Sequence, residues 1–165
     1  MEQPVPLSLR PVLVGMNNPI RPNDQRFALY PHPPGCTGAR IFDLLCAAAP
    51  VMTKLAYIRA FERVNLVDDA MWNRGLARER AAGMHEQWRG TGRVVLLFGE
   101  EVRRAFDLPK LLIHPQDIDG VTYRQLPHPS GRNLWYNEAK NRKLASVLLY
   151  ELYELSAGKC PVSGV

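Results

Sequence analysis

The run "RVVLLFG" (93–99) constrains this chain most, because five apolar residues without alternation suit a strand covered on both faces. It passes at once into "EEVRRAFDL", a short helix with two acids in its first turn. A second run, "PVLVGM" (11–16), reads as another buried parallel strand ending at Gly15. Two such strands are incompatible with an all-helical bundle and point to a sheet covered by helices.

The rest of the chain fits between these two. "NNPIRPNDQRFALYPHPPGCTG" (17–38) carries prolines at 19, 22, 31, 33 and 34, so neither a regular helix nor a central strand is possible there. A loop this long inside a compact domain is usually functional. Thr37 can cap the helix "GARIFDLLCAA", whose Ile41, Leu44, Leu45 and Ala48 recur at helical spacing. In "KLAYIRAFERVNL" (54–66) the first half reads as a strand and the remainder as a loop. Asp68 and Asp69 suit the start of a helix through "AMWNRGLARERAAGMHEQW", which Gly75 and Gly83 weaken. "KLLIHP" and "VTYRQLPHPS" form the final strand region, and "NEAKNRKLASVLLYELYEL" closes the chain as an amphipathic helix. The alternation predicts one α/β domain over 1–165, a three-layer α/β/α sandwich with a central, mainly parallel four-stranded sheet.

In such sheets ligands sit beyond the carboxyl ends of the strands. Two polar loops leave those ends, "GMNNP" and "LPHPSGRN". The net charge of +5 permits a polyanionic partner without requiring one. Cys36, Cys46 and Cys160 form no Cys-x-x-Cys pair, which argues against a zinc ribbon or an all-cysteine cluster and fits free thiols. "MEQPVPLSLRP" has no apolar signal core, and no run of about eighteen apolar residues occurs. A soluble cytoplasmic monomer without membrane, metal or cofactor is the expectation.

"GMN" after the first strand and "HPSGRN" after the last resemble the uracil-DNA glycosylase superfamily, most closely its single-strand-selective monofunctional and mismatch-specific uracil glycosylases. That family carries a Gly-x-Asn-Pro motif first and a His-Pro-Ser or Asn-Pro-Ser motif last. "TGARIFDLL" and "LFGEEVRRAF" resemble its small-residue turn with helix and its strand with short helix. The resemblance implies a DNA glycosylase that flips a pyrimidine out of DNA and hydrolyses its N-glycosidic bond. Asn17 would orient the water, and His128 would donate to the pyrimidine oxygen as charge develops there. Gly15 and Met16 belong to the same motif, and Tyr30 or Phe27 would stack on the flipped base. Ser130 would hold a phosphate, Gly131 would let that loop approach the backbone, and Arg132 and Asn133 would enter the helix.

The match departs from the family in three places. The doubled amide leaves Asn17 or Asn18 as the catalytic one, with Asp24 a further candidate for activating water. The family's base-reading Asn at the end of the second strand aligns near Arg59, or with Asn65 instead. Arg59 in the pocket would favour a larger pyrimidine, such as a modified base of viral DNA, because Arg offers only donors. His32, in the enlarged first loop, has no family counterpart and would be a lid or a specificity element. No lysine is placed to form a Schiff base, so the activity is expected to be monofunctional. Repair and defence against modified phage DNA are both compatible roles. The competing classes are a catalytically weak DNA- or nucleotide-binding module of the same fold and a viral enzyme that processes modified bases.

Overall fold

The computed structural model describes residues 9–19, 23–110 and 114–158. Five strands form one sheet in the order β2-β1-β3-β5-β4. They are β1 (Val12–Asn17), β2 (Glu62–Val67), β3 (Val94–Phe98), β4 (Gln116–Ile118) and β5 (Val121–Leu126). β1 runs parallel to β2 and β3, β3 parallel to β5, and only β4 is antiparallel. The helices are α1 (Thr37–Ala48), α2 (Lys54–Ala60), α3 (Arg74–Trp88), α4 (Glu100–Ala105) and α5 (Ala139–Ser156).

The period-two geometry of the strands sends alternate side chains to opposite faces. Val12, Val14, Val95, Leu97, Val121 and Tyr123 join Ala77, Ala81 and Trp88 of α3 and Val102 and Ala105 of α4 in one core. Leu13, Leu96, Phe98 and Leu126 join Ile41 and Leu45 of α1, Tyr57 and Ala60 of α2, and Leu149 and Leu152 of α5 in the other. The expected α/β/α layering and the mainly parallel sheet are therefore present. Among the described residues the strands number five rather than four.

Four local readings are corrected. The segment 54–66 is reversed, since its first half is α2 and its second half is β2. Thr53 caps α2 by accepting from the Ala56 N–H, and Tyr57 and Ala60 face the core three residues apart. β2 opens with Glu62 and Arg63, charges that mask a strand. Both are satisfied from distant chain: Arg93 pairs with Glu62, and Arg63 donates to the Ala28 carbonyl. Asp68 and Asp69 do not begin a helix. α3 starts at Arg74 under an Asn73 cap, while Asp68 pairs with Arg80 and Asp69 accepts from the Ala70 N–H. The cap of α1 is Cys36, whose sulfur accepts from the Ala39 N–H, so Thr37 is already helical. The last region is a hairpin, turning at Asp119 and Gly120, both with positive φ, as a tight Asp-Gly turn requires. Leu111, Leu112 and Ile113 of "KLLIHP" lie outside the described residues, as does Cys160.

Among the described residues no helix is long and apolar enough to cross a membrane. None of their His, Cys, Asp and Glu side chains form a group of three or more placed to hold a metal ion.

Candidate active site

A cavity of about 540 Å³ opens at the carboxyl ends of β1 and β2. The ends of β1 and β2 and two loops line it. β1 supplies Met16 and Asn17, and Asn18 follows them. The first loop supplies Phe27, Tyr30 and His32, β2 supplies Asn65, and the loop after β5 supplies His128, Ser130 and Gly131. The two loops singled out in the sequence thus meet around one space.

Asn17 is the last residue of β1 and pairs with Val67 in register. Its Nδ2 donates to the Ala70 carbonyl at 2.7 Å. A carbonyl can only accept, so this bond fixes which end of the amide is which and leaves Oδ1 as the acceptor. Asn65 sits on β2 beside Gly15 and is only 4% exposed. A β-carbon on Gly15 would fall 2.5 Å from Asn65 Oδ1 and 2.8 Å from Leu29, so glycine there makes room for the Asn65 amide. The Asn65 backbone is clamped by one side chain: Gln25 Nε2 donates to its carbonyl at 3.1 Å and Gln25 Oε1 accepts from its N–H at 2.9 Å.

The first loop is tied down residue by residue. Arg63 donates to Ala28 O at 2.8 Å, the Tyr57 hydroxyl to Leu29 O at 2.9 Å, and the Cys36 thiol to Tyr30 O at 3.4 Å. Burial holds the Tyr57 phenol well above the usual range, so it stays a donor. Phe27 and Tyr30 meet edge to face at 5.4 Å, and the Arg63 guanidinium lies 5.8 Å from the Tyr30 ring centre. These contacts present an aromatic wall to the cavity. Gly38, in the first turn of α1, packs directly against this loop, since a β-carbon there would overlap the Leu29 and Tyr30 carbonyls. Gly38→Ala is therefore expected to destabilise the protein by about 1–3 kcal/mol through overpacking, seen as a lower thermal midpoint than that of wild type.

The second loop is held by three successive carbonyls. Leu126 O accepts from the Gly99 N–H at 2.8 Å and Pro127 O from the Tyr136 hydroxyl at 2.6 Å. His128 O accepts from the Ser130 N–H at 2.8 Å and from Asn133 Nδ2 at 3.0 Å. Gly99 has a φ of 99°, and a β-carbon there would lie 3.1 Å from His128 Cβ, so glycine allows the histidine to seat. Burial lowers the His128 pKa below the ordinary 6.5, which favours the neutral imidazole. The unfolded chain then takes up the proton before the folded one, so the His128 contribution to stability is complete above pH 6.5 and is lost as the pH falls through the lowered pKa. An NMR titration of the His128 ring is expected to show a midpoint below 6.5, and a midpoint at or above 6.5 would contradict this burial.

Several expected site residues are placed elsewhere. Arg59 is exposed on α2 and does not line the cavity. The arginine beside the aromatic wall is Arg63, which sequence reading missed because β2 was taken for a loop. Asp24 forms no part of the lining; its carboxylate pairs with Arg26 at 2.9 Å and also accepts from the Arg26 N–H. Asn133 is used inside its own loop, donating to His128 O and accepting from the Trp135 N–H. Arg132 is exposed at the loop tip, and Leu134 beside it is 74% exposed, an apolar neighbour with no signal in the motif.

No protein-family model matches the chain, and no curated protein does. The cavity offers amide acceptors and donors, the imidazoles of His32 and His128, two aromatic faces and a serine-glycine turn. Among the described residues that line it there is neither a carboxylate nor a lysine.

Proposed function

We propose that this protein is a monofunctional DNA glycosylase of the uracil-DNA glycosylase type, which removes uracil or a modified pyrimidine and leaves an abasic site. The observation that carries the reading is the meeting of Asn17, Asn65, His128 and the Phe27–Tyr30 wall in one cavity at the carboxyl ends of the parallel strands. A pyrimidine needs a flat apolar face, an amide to read its edge and a donor for its oxygen. The aromatic wall, Asn65 and His128 supply these in turn.

Breaking the N-glycosidic bond develops positive charge on the sugar and negative charge on the leaving base. His128 would donate to the pyrimidine oxygen as that charge grows, with no proton change of its own. Asn17 Oδ1 would accept from a water and hold it against the sugar carbon. Ser130 and Gly131 would take the adjoining phosphate. Arg132 and the exposed Leu134 would occupy the space vacated in the stack, as basic and apolar wedges do in other DNA binders. The absence of a lysine from the lining residues supports hydrolysis without a lyase step.

Arg59 no longer argues for an unusual base. A cavity of about 540 Å³ with His32 on its wall keeps a substituted pyrimidine in the proposed substrate class. A role against modified phage DNA rests on that room. The second reading, a weakly catalytic DNA-binding module, is favoured by the lack of any carboxylate among the lining residues to activate water. Incubation with uracil-containing oligonucleotides, single- and double-stranded, and with phage DNAs bearing hydroxymethylated or glucosylated cytosine separates the two. Alkali-labile breaks support the glycosylase, whereas binding without breaks on every substrate supports the module.

A further inference from the structure

A second cavity, of about 680 Å³, lies between α1 and α5 under the 129–137 segment. It shares Ser130 and Gly131 with the first cavity, so the two adjoin across that turn. Leu44, Ala47, Ala48 and Val147 give it an apolar side. Arg40, Arg142 and Lys143 give it three cations against one carboxylate, Asp43. Among the described residues the two guanidinium groups are held only by neutral carbonyls: Arg40 by Gly35 O, and Arg142 by Tyr136 O and Asn137 O. Their charge is therefore positioned but not neutralised. Ser146 of α5 also lines this cavity, is only 5% exposed, and makes no side-chain hydrogen bond among the described residues. A hydroxyl there can both donate to and accept from a ligand in the cavity.

Cations beside an apolar side with a hydroxyl suit a unit that is part flat ring and part phosphate. We propose that this groove seats the nucleotide next to the flipped one on the same DNA strand. Its phosphate lies on Arg40, Arg142 and Lys143, its ring lies on the apolar side, and Ser146 Oγ meets its polar edge. Continuity with the first cavity at Ser130 and Gly131 favours a strand over a free nucleotide, since a strand held in the base cavity can pass that turn directly into the groove. The inference rests on the DNA-binding part of the proposed function and not on catalysis.

The test is binding of a labelled single strand of about 15 nucleotides with no excisable base. Ala47→Trp, on an exposed position of α1, fills the groove, and Lys143→Glu reverses one of its cations. Thermal melting confirms that each variant folds. Both are expected to bind the strand about tenfold more weakly than wild type. Wild-type affinity in folded Ala47→Trp would overturn the proposal. Blocking of a free deoxynucleoside monophosphate by Ala47→Trp, with strand affinity unchanged, would overturn it equally. A protein that excises no base but loses strand affinity in both variants keeps this groove and loses only the glycosylase reading. One that excises uracil with no effect of either variant loses only the groove.

Discussion

His128→Ala is expected to slow base release by about 100- to 1,000-fold under single-turnover conditions, with little change in strand affinity. His128 is the one ring donor on the β5 loop that lines the cavity, and burial disfavours its charged form. A neutral donor aimed at a developing anion stabilises the transition state more than the bound substrate, so the rate falls and binding does not. The backbone around it is held by Gly99, Ser130, Tyr136 and Asn133, none of which needs the imidazole. The variant should therefore fold normally, with a melting temperature near that of wild type. A loss of strand binding in proportion to the loss of rate would show instead that His128 binds substrate uniformly.

Asn17→Ala has the second large expected effect, a fall of about 100-fold or more in the rate of base release. The amide is oriented by its bond to Ala70 O, which leaves Oδ1 as the acceptor that would hold the water in the proposed reaction. Removing it leaves the water unplaced and costs the protein one exposed hydrogen bond, so stability changes little. Asn18→Ala separates the two amides of the doubled pair. Asn17 ends a strand in register with β2, whereas Asn18 lies beyond the ladder. The larger loss is expected at Asn17, and the reverse order would move the catalytic amide one residue along.

The layered fold was legible because its strongest signals are local. "VVLLF" and "VLVG" announce buried strands by composition, and α5 announces itself by spacing. β2 was not legible, because Glu62 and Arg63 open it with charge. Their partners, Arg93 and Ala28, are far away in sequence, and no local pattern encodes them. With the strand drawn too early, Arg59 and Asn65 stood as alternatives for one position, and of the two it is Asn65 that lines the cavity. The Asp-Gly turn at 119–120 was a local hairpin signal that sequence reading passed over, which left the sheet one strand short. The meeting of "GMNN" with "HPSG" was legible from strand order alone, because parallel strands put their following loops at one edge. The clamp of Gln25 on Asn65 and the packing of Gly38 under Leu29 and Tyr30 were not, since both depend on how an irregular loop folds back.

The central claim is that this cavity releases a base from DNA. It is tested most directly by measuring free base and abasic sites together, in a single turnover, on strands carrying uracil and on phage DNA carrying modified cytosine. On at least one of these substrates the wild-type protein is expected to yield base and abasic sites in equal amounts, and the Asn17→Ala, His128→Ala double variant neither. Binding without either product on every substrate, or equal product from the double variant, would contradict it.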